Sequence, residues 1–406
     1  MVYARSDSPS QTTHSSWAGD LTPVQRARQL AEGFAATSVE RDRAGGTPKT
    51  ERDQLRESGL LGLLVPTQLG GLGASWREIL AVTREIARVD SSLAHVFGFQ
   101  HLLLATLRLF SREDQWQPWF EQTVRERWFW GNALNPLDKR TQAIPQGHEY
   151  RFNGHKSFCS GAIDSDMLIA SAVEPAHGDR LLIAAIPTRR DGISLADDWN
   201  NIGQRQTDSG SARFDSVRVE HHELLLDPGP LSTPFASLRP LIAQLLFANL
   251  FVGVAEGAFE EARRFTREQA RPWFKSPASQ ASEDPYVLRH YGELYAQLEA
   301  ARVLVERAAD QLDEAWLRGE ALQAGERAEL AVAIGAAKVI ASRHGLDATS
   351  RIFEVCGARA THASLGLDRF WRNLRTQTLH DPLDYRLHEL GDWSLNQRPP
   401  TPSFYS

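Results

Sequence analysis

Apolar residues recur at helical spacing from residue 22 to about residue 127, as Ile79, Leu80, Val82, Ile86 and Val89 illustrate. Breaks fall at Gly45-Gly46 and at Gly70-Gly71-Leu72-Gly73, where glycine's access to positive φ suits a turn between helices. The pattern predicts a helical N-terminal domain over residues 21–130. Near Trp130 the period changes. Tyr150-Arg-Phe152 runs into an Asn153-Gly154 turn signal, 168–173 and 181–186 are short apolar runs, and 213–219 alternates with period two. These read as strands of a middle β-domain over residues 131–235. From Leu238 long helical patterns return, including 294–316 and 327–356, so residues 236–406 read as a helical bundle with a C-terminal tail. Strands and helices that are segregated along the chain give an α+β class and exclude an alternating parallel α/β sheet. Residues 1–20, rich in Ser, Thr and Gln, read as a flexible arm.

Composition narrows the function more than the fold. The formal charge of -6 lacks the basic footprint of a nucleic-acid or anionic-membrane binder. No window approaches 18 uninterrupted apolar residues and the start of the chain is polar, so neither a membrane span nor a signal peptide is expected, and a cytoplasmic location is. Cys159 and Cys356 lie too far apart in sequence for a metal knuckle and are too few for a disulfide scaffold. No Walker loop, GxGxxG, HExxH or GxSxG occurs, and no metal is expected.

Three polar constellations stand against apolar surroundings. Trp130-Gly-Asn132-Ala-Leu-Asn135-Pro136, with Gly154-His-Lys156-Ser-Phe-Cys-Ser160-Gly161, sets small hydroxyl and amide groups beside aromatics. Such groups suit a flat heteroaromatic ring, and equally suit ordinary turns. Trp199-Asn-Asn-Ile-Gly-Gln-Arg205-Gln-Thr207-Asp-Ser209-Gly210 is a polar stretch between strands, readable as a plain surface loop. Arg369, Arg372 and Arg375 before His380-Asp381-Pro382 could hold a phosphate or face solvent. Arg271-Pro-Trp-Phe-Lys-Ser276 adds a basic-aromatic cluster in which Arg suits a bidentate phosphate contact. His95 and His101 sit in an apolar helical segment, where a core role competes with a catalytic one.

Together with the three-part order, Pro66-Thr-Gln-Leu-Gly-Gly-Leu-Gly73, Gly154-His-Lys-Ser-Phe-Cys-Ser160 and Phe214-Asp-Ser-Val-Arg-Val219 resemble the acyl-CoA dehydrogenase fold over about residues 22–400. That resemblance implies an N-terminal helical domain, a middle β-barrel domain and a C-terminal four-helix bundle. Many acyl-CoA dehydrogenases carry their catalytic Glu in a Tyr-Glu-Gly-Thr segment, where this chain reads Thr378-Leu-His-Asp-Pro382. With Arg372-Asn-Leu-Arg375, Arg271-Pro-Trp273 and Trp199 before Gly-Gln-Arg-Gln-Thr, the histidine version is similar to the two-component flavin monooxygenases of this fold, the group of dibenzothiophene and methanesulfinate monooxygenases.

The resemblance implies reduced FMN supplied by a separate NAD(P)H-dependent flavin reductase, O₂ as co-substrate, and a C4a-(hydro)peroxyflavin that passes oxygen to sulfur. A small alkanesulfinate such as methanesulfinate is the expected substrate, a dibenzothiophene-type compound the next. Carried over by position, His95, Ser160 and His380 would be catalytic, with Ser160 against flavin N5. Phe99, Asn132, Phe158, Ser160, Arg271, Arg359 and His380 would bind the cofactor, Arg271 being donated to a neighbouring subunit of a homotetramer. Trp130, Trp199 and Phe251 would line the substrate pocket. Two competing readings are an FAD-dependent acyl-CoA dehydrogenase, disfavoured by the missing Tyr-Glu-Gly-Thr, and a non-catalytic helical interaction protein, disfavoured by Ser160, Arg271 and His380.

Overall fold

A computed structural model describes residues 21–406; the arm expected over residues 1–20 lies outside the described residues. The chain opens with α1 (Pro23–Ala35), α2 (Ser38–Ala44), α3 (Lys49–Glu57), α4 (Trp76–Ala87), α5 (Ser91–Phe110) and α6 (Glu113–Glu126). Local chemistry sets their starts. Thr22 and Gln25 form a capping box around Pro23, and the side chains of Ser75 and Asp90 accept the first free amides of α4 and α5. The glycine cluster is the expected turn: Gly70 and Gly73 take positive φ, and a Cβ on Gly71 would overlap the Val65 carbonyl.

Next come β1 (Trp130–Ala133), β2 (Gln142–Gln146), β3 (Glu149–Lys156), β4 (Met167–Glu174), β5 (Arg180–Pro187), β6 (Ile193–Leu195) and β7 (Ala212–Glu220). They form one mixed sheet in the order β1-β4-β2-β3-β7-β6, with β5 antiparallel on β4. The Asn153-Gly154 turn expected from sequence is absent. β3 runs straight through that pair, and its register against β7 shifts between Phe152 and Gly154. Gly154, at φ 136°, lies so close to Arg140 that a Cβ would overlap its carbonyl oxygen, so the glycine serves a bulge and a close approach.

The last third holds α7 (Leu238–Glu268), α8 (Pro285–Arg318), α9 (Ala324–Cys356), α10 (Asp368–Gln377) and α11 (Leu383–Asn396). Among these α7 is the spine: its residues from Leu238 to Ala255 are buried without interruption, and it packs on α4, α5, α8, α9 and α10. A helix that is apolar on every face belongs in a core. α5 and α7 are both long and apolar enough to cross a membrane, yet 94% of each apolar window is buried inside the protein.

Two buried polar ties hold the sheet to the helices. Gln100 of α5 donates to the Trp128 carbonyl and accepts from the Trp130 amide at 2.8 Å, anchoring β1. Arg52 of α3, fully buried, pairs with Asp208 at 2.8 Å and donates to the Gly161 carbonyl at 3.0 Å. That contact joins the loop after β3 to the loop before β7.

The closest helix approach is testable. A Cβ on Gly257 of α7 would overlap the Arg88 carbonyl, whereas one on Gly325 of α9 meets nothing within 4 Å. Gly257→Ala is expected to destabilise the protein by about 1–3 kcal/mol through overpacking, and Gly325→Ala to be neutral or mildly stabilising. Urea unfolding midpoints of the two variants check the contrast.

Candidate active site

Where the three parts meet, a cavity of about 690 Å³ opens. α5 supplies His95, Phe99 and Leu102; β1 supplies Asn132; the loop after β3 supplies Phe158 and Ser160. The loop before β7 adds Trp199, Gln204, Thr207 and Ser209, the start of α7 adds Arg239 and Gln244, and the end of α10 leads through Arg375 and Gln377 to His380. Phe404 and Tyr405 of the tail close one wall. Among the described residues, no lining side chain is a carboxylate.

His380 is held from behind. Its Nδ1 lies 3.1 Å from Asp381 Oδ1, which also receives the Lys338 ammonium of α9. Burial opposes the Asp381 charge, but the His380 hydrogen bond and the Lys338 ammonium hold its carboxyl well below the usual range. A carboxylate on Nδ1 fixes that nitrogen as the donor and leaves Nε2 as the atom that exchanges a proton. Burial, partly offset by Asp381, brings Lys338 down to about 8. The His380 ring rests against Phe247 at 4.6 Å and Tyr405 at 5.8 Å between centroids.

His95 stacks on Phe99 at 4.3 Å, and both its ring nitrogens are buried without a hydrogen bond. Burial, reinforced by the nearby His380 and slightly opposed by Gln377, pushes its pKa from 6.5 to about 3. It is therefore neutral at physiological pH. His101, the other candidate, does not reach the cavity; it meets Phe97 edge-on in the core and is likewise brought to about 3 by burial.

Ser160 belongs to a directed chain of hydroxyls. Thr207 donates to the Gln204 carbonyl at 2.9 Å, Thr207 and Ser209 oxygens are 2.7 Å apart, and Ser209 and Ser160 oxygens are 2.7 Å apart. Each hydroxyl has one proton, so Thr207 must accept from Ser209 and Ser209 from Ser160. Ser160 consequently offers the cavity lone pairs. Backbone bonds from Cys159 to Gly210 and from Gly161 to Thr207, both 2.9 Å, zip the two loops together. Gln204 N donates to Asn373 Oδ1 at 2.7 Å, fastening them to α10.

These residues suit a flat heteroaromatic cofactor. Phe158, 59% exposed at φ 61°, and Trp199 meet edge-on at 6.0 Å beside the cavity, while His95 and the Gln204 amide oxygen are buried polar atoms lacking partners. A ring with alternating donors and acceptors is the kind of ligand that satisfies them.

Of the positions singled out from sequence, His95, Phe99, Asn132, Phe158, Ser160, Trp199 and His380 share this cavity. Two expected walls are elsewhere. Trp130 is buried beneath the site with Nε1 donating to Thr123 at 2.9 Å, and Phe251 is sealed in the core of α7, because both rings point into apolar packing. Arg271 is exposed beyond the end of α7, and Arg359 borders a separate depression with Phe265 and Gln269; neither reaches the cavity of its own chain. Sequence reasoning missed Arg239, Gln244 and Tyr405. Arg239 and Gln244 had a signal, being the two polar side chains in the otherwise apolar run from Leu238 to Leu246.

The buried histidines predict an acid response. In the unfolded chain both take up a proton as pH falls through 6.5, while in the folded chain they resist until about 3. The unfolded state thus binds more protons across that window, and stability declines as pH drops from 6.5 toward 3. His101→Leu should lower the slope of unfolding free energy against pH by up to one proton, measured by urea titration at successive pH values.

Residues 23–127 match the acyl-CoA dehydrogenase N-terminal domain and residues 245–385 the acyl-CoA dehydrogenase C-terminal domain. The chain is 70% identical over 380 residues to a probable FMNH2-dependent monooxygenase, SfnC, of Pseudomonas putida, covering 94% of this chain and 96% of that protein. Methanesulfinate monooxygenase MsuC from Pseudomonas fluorescens superposes with a TM-score of 0.94 at 68% identity, over 95% of this chain and 100% of that one. The dibenzothiophene monooxygenase TdsC from Paenibacillus sp. A11-2, solved with FMN and indole, gives 0.91 at 44% identity over the same shares. With its two matched domains, its cavity and these relatives, the chain belongs to the acyl-CoA dehydrogenase-fold flavin monooxygenases, the FMNH2-dependent enzymes that act on organosulfur compounds.

Proposed function

We propose that this chain uses reduced FMN and O₂ to oxidise a small alkanesulfinate, methanesulfinate being the best candidate and a dibenzothiophene-type compound the next, by the C4a-(hydro)peroxyflavin route that the resemblance implies. The observation that carries the reading is a cavity with an oriented histidine, a directed serine hydroxyl and no lining carboxylate among the described residues. An acyl-CoA dehydrogenase needs a carboxylate base at the substrate, so the FAD-dependent alternative lacks its central group here.

Reduced FMN, when bound, supplies the two electrons that turn O₂ into an oxygen-transfer reagent. The residues do the rest. Phe99, Leu102, Leu134 and Phe404 keep water from the reacting atoms. His380 Nε2 gives or takes the proton that accompanies oxygen transfer, with Asp381 holding the ring in place through Nδ1. Ser160 accepts from a ring N–H, which reduced flavin carries and oxidised flavin lacks at N5. Asn132 and Phe158 flank the ring.

The proposal extends to a homotetramer in the cytoplasm, served by a separate NAD(P)H-dependent flavin reductase. Tyr286, Tyr295 and Val303 expose apolar area along α8, and Trp273 and Phe274 beside Arg271 do the same, which suits an interface that carries Arg271 and Arg359 toward a neighbouring FMN phosphate.

Turnover of a panel of sulfinates, sulfones and thiophenes with reduced FMN, O₂ and catalase tests the reading; oxidation of none of them contradicts it. His380→Phe keeps the ring volume but removes both nitrogens, so oxygen transfer should fall by about 10² or more while reduced-FMN binding changes little. Ser160→Ala should give a milder loss, worth about 1 kcal/mol. Single-turnover product yield against peroxide released measures both.

A further inference from the structure

We propose that Arg239 is the counter-ion that receives the two oxygens of a sulfinate, selecting this anionic class over uncharged sulfones and thiophenes. The inference rests on the function proposed above and deepens it.

Arg239 sits in the first turn of α7 and lines the cavity, only 7% exposed. Its Nε donates to Thr106 Oγ1 at 3.1 Å, and Thr106 spends its own proton on the Leu102 carbonyl at 2.7 Å. One edge of the guanidinium is thereby fixed. The two Nη groups make no hydrogen bond, and the side chain has no salt bridge, to any described residue. Nearby Tyr405 favours its charge, yet burial brings the pKa to about 10, so the group remains a cation at neutral pH. A buried cation without a counter-ion is unfavourable for stability, and proteins keep such groups where a ligand supplies the missing charge.

The chemistry of the guanidinium's other edge is specific. A planar fork of N–H donors matches two oxygens on one atom, the geometry of a sulfinate, and leaves the sulfur lone pair free. A sulfone also has two oxygens but no charge; a thiophene has neither. A second cation lining the cavity, Arg375, is less buried, so it suits the hydrated phosphate of a cofactor better than Arg239 does. Arg239 is buried, with Tyr405 near it and the Thr106 hydroxyl on its Nε, which favours a small head group. The reaction balances without another reagent: reduced FMN, O₂ and RSO₂⁻ give oxidised FMN, RSO₃⁻ and water. One S–O bond forms from the sulfur lone pair as the O–O bond breaks, and the two flavin hydrogens leave in the water.

The test is anaerobic calorimetry on the full chain with reduced FMN. Methanesulfinate and dimethyl sulfone, its uncharged S-methylated counterpart, are titrated into wild type, Arg239→Met and Arg239→Lys, with circular dichroism confirming the fold. The proposal expects Arg239→Met to weaken methanesulfinate on the order of 10²-fold, the scale of a lost pair of charge-assisted hydrogen bonds. Dimethyl sulfone and reduced FMN should bind as in wild type, and Arg239→Lys should restore part of the sulfinate affinity. Equal losses for sulfinate and sulfone, or loss of reduced-FMN binding with the sulfinate-to-sulfone ratio unchanged, overturn it. A wild type that oxidises sulfones but does not bind methanesulfinate removes this inference and leaves the monooxygenase reading standing; oxidation of no organosulfur compound removes both.

Discussion

A lysine buried in the C-terminal bundle needs compensation, and Lys338 finds it in Asp381 and Gln244. Much of the cavity depends on that arrangement. Asp381, so held, orients His380 and lies 3.7 Å from Arg386 of α11; Gln244 of α7 donates to the Tyr405 carbonyl at 3.1 Å. One ammonium thus ties α7, α9, the turn before α11 and the tail into a single wall. Removing either charge would strand the other in a low-dielectric interior, which costs about 3–5 kcal/mol when a buried pair is broken. The chemistry and the packing of this wall are consequently the same interaction.

The opposite wall is built on hydrogen bonds whose direction is set far from the cavity. The Gln204 carbonyl fixes Thr207, Thr207 fixes Ser209, and Ser209 fixes Ser160. Arg52 and Asp208 lock the two loops that carry this chain against the N-terminal helices. Among the described residues no carboxylate lines the cavity, while Arg239 and Arg375 do, a local positive bias toward anions in a chain of net charge -6.

Periodicity made α4, α8, α9 and β7 legible, because each buries one recurring set of apolar positions, while α7, β4 and β5, buried over most of their length, were legible as apolar runs. β3 was misread at Asn153-Gly154, since pairing with β7 outweighed a strong local turn signal. Polar stretches beside aromatics singled out Asn132, Phe158, Ser160 and Trp199, the arginine-rich stretch singled out His380, and the family resemblance gave them their roles; all five line one cavity. Aromatic identity alone failed for Trp130 and Phe251, because a ring that lines a pocket and a ring that fills a core have the same sequence signature. The tail was illegible for another reason. Phe404 and Tyr405 reach the cavity with the tail held by Gln244 at the Tyr405 carbonyl and by Arg327 at the carbonyl of Ser406, 2.6 Å away, the latter a contact between positions 79 residues apart.

An oxygen atom that moves from O₂ to sulfur in this cavity leaves an isotopic record. Single-turnover oxidation of methanesulfinate under ¹⁸O₂, with reduced FMN as the only electron source and catalase removing free peroxide, tests that transfer most directly. Methanesulfonate carrying one ¹⁸O atom per molecule is expected by mass spectrometry, and none when the label is placed in water instead. Label acquired from water, or an unoxidised sulfinate with all the oxygen recovered through peroxide, would contradict it.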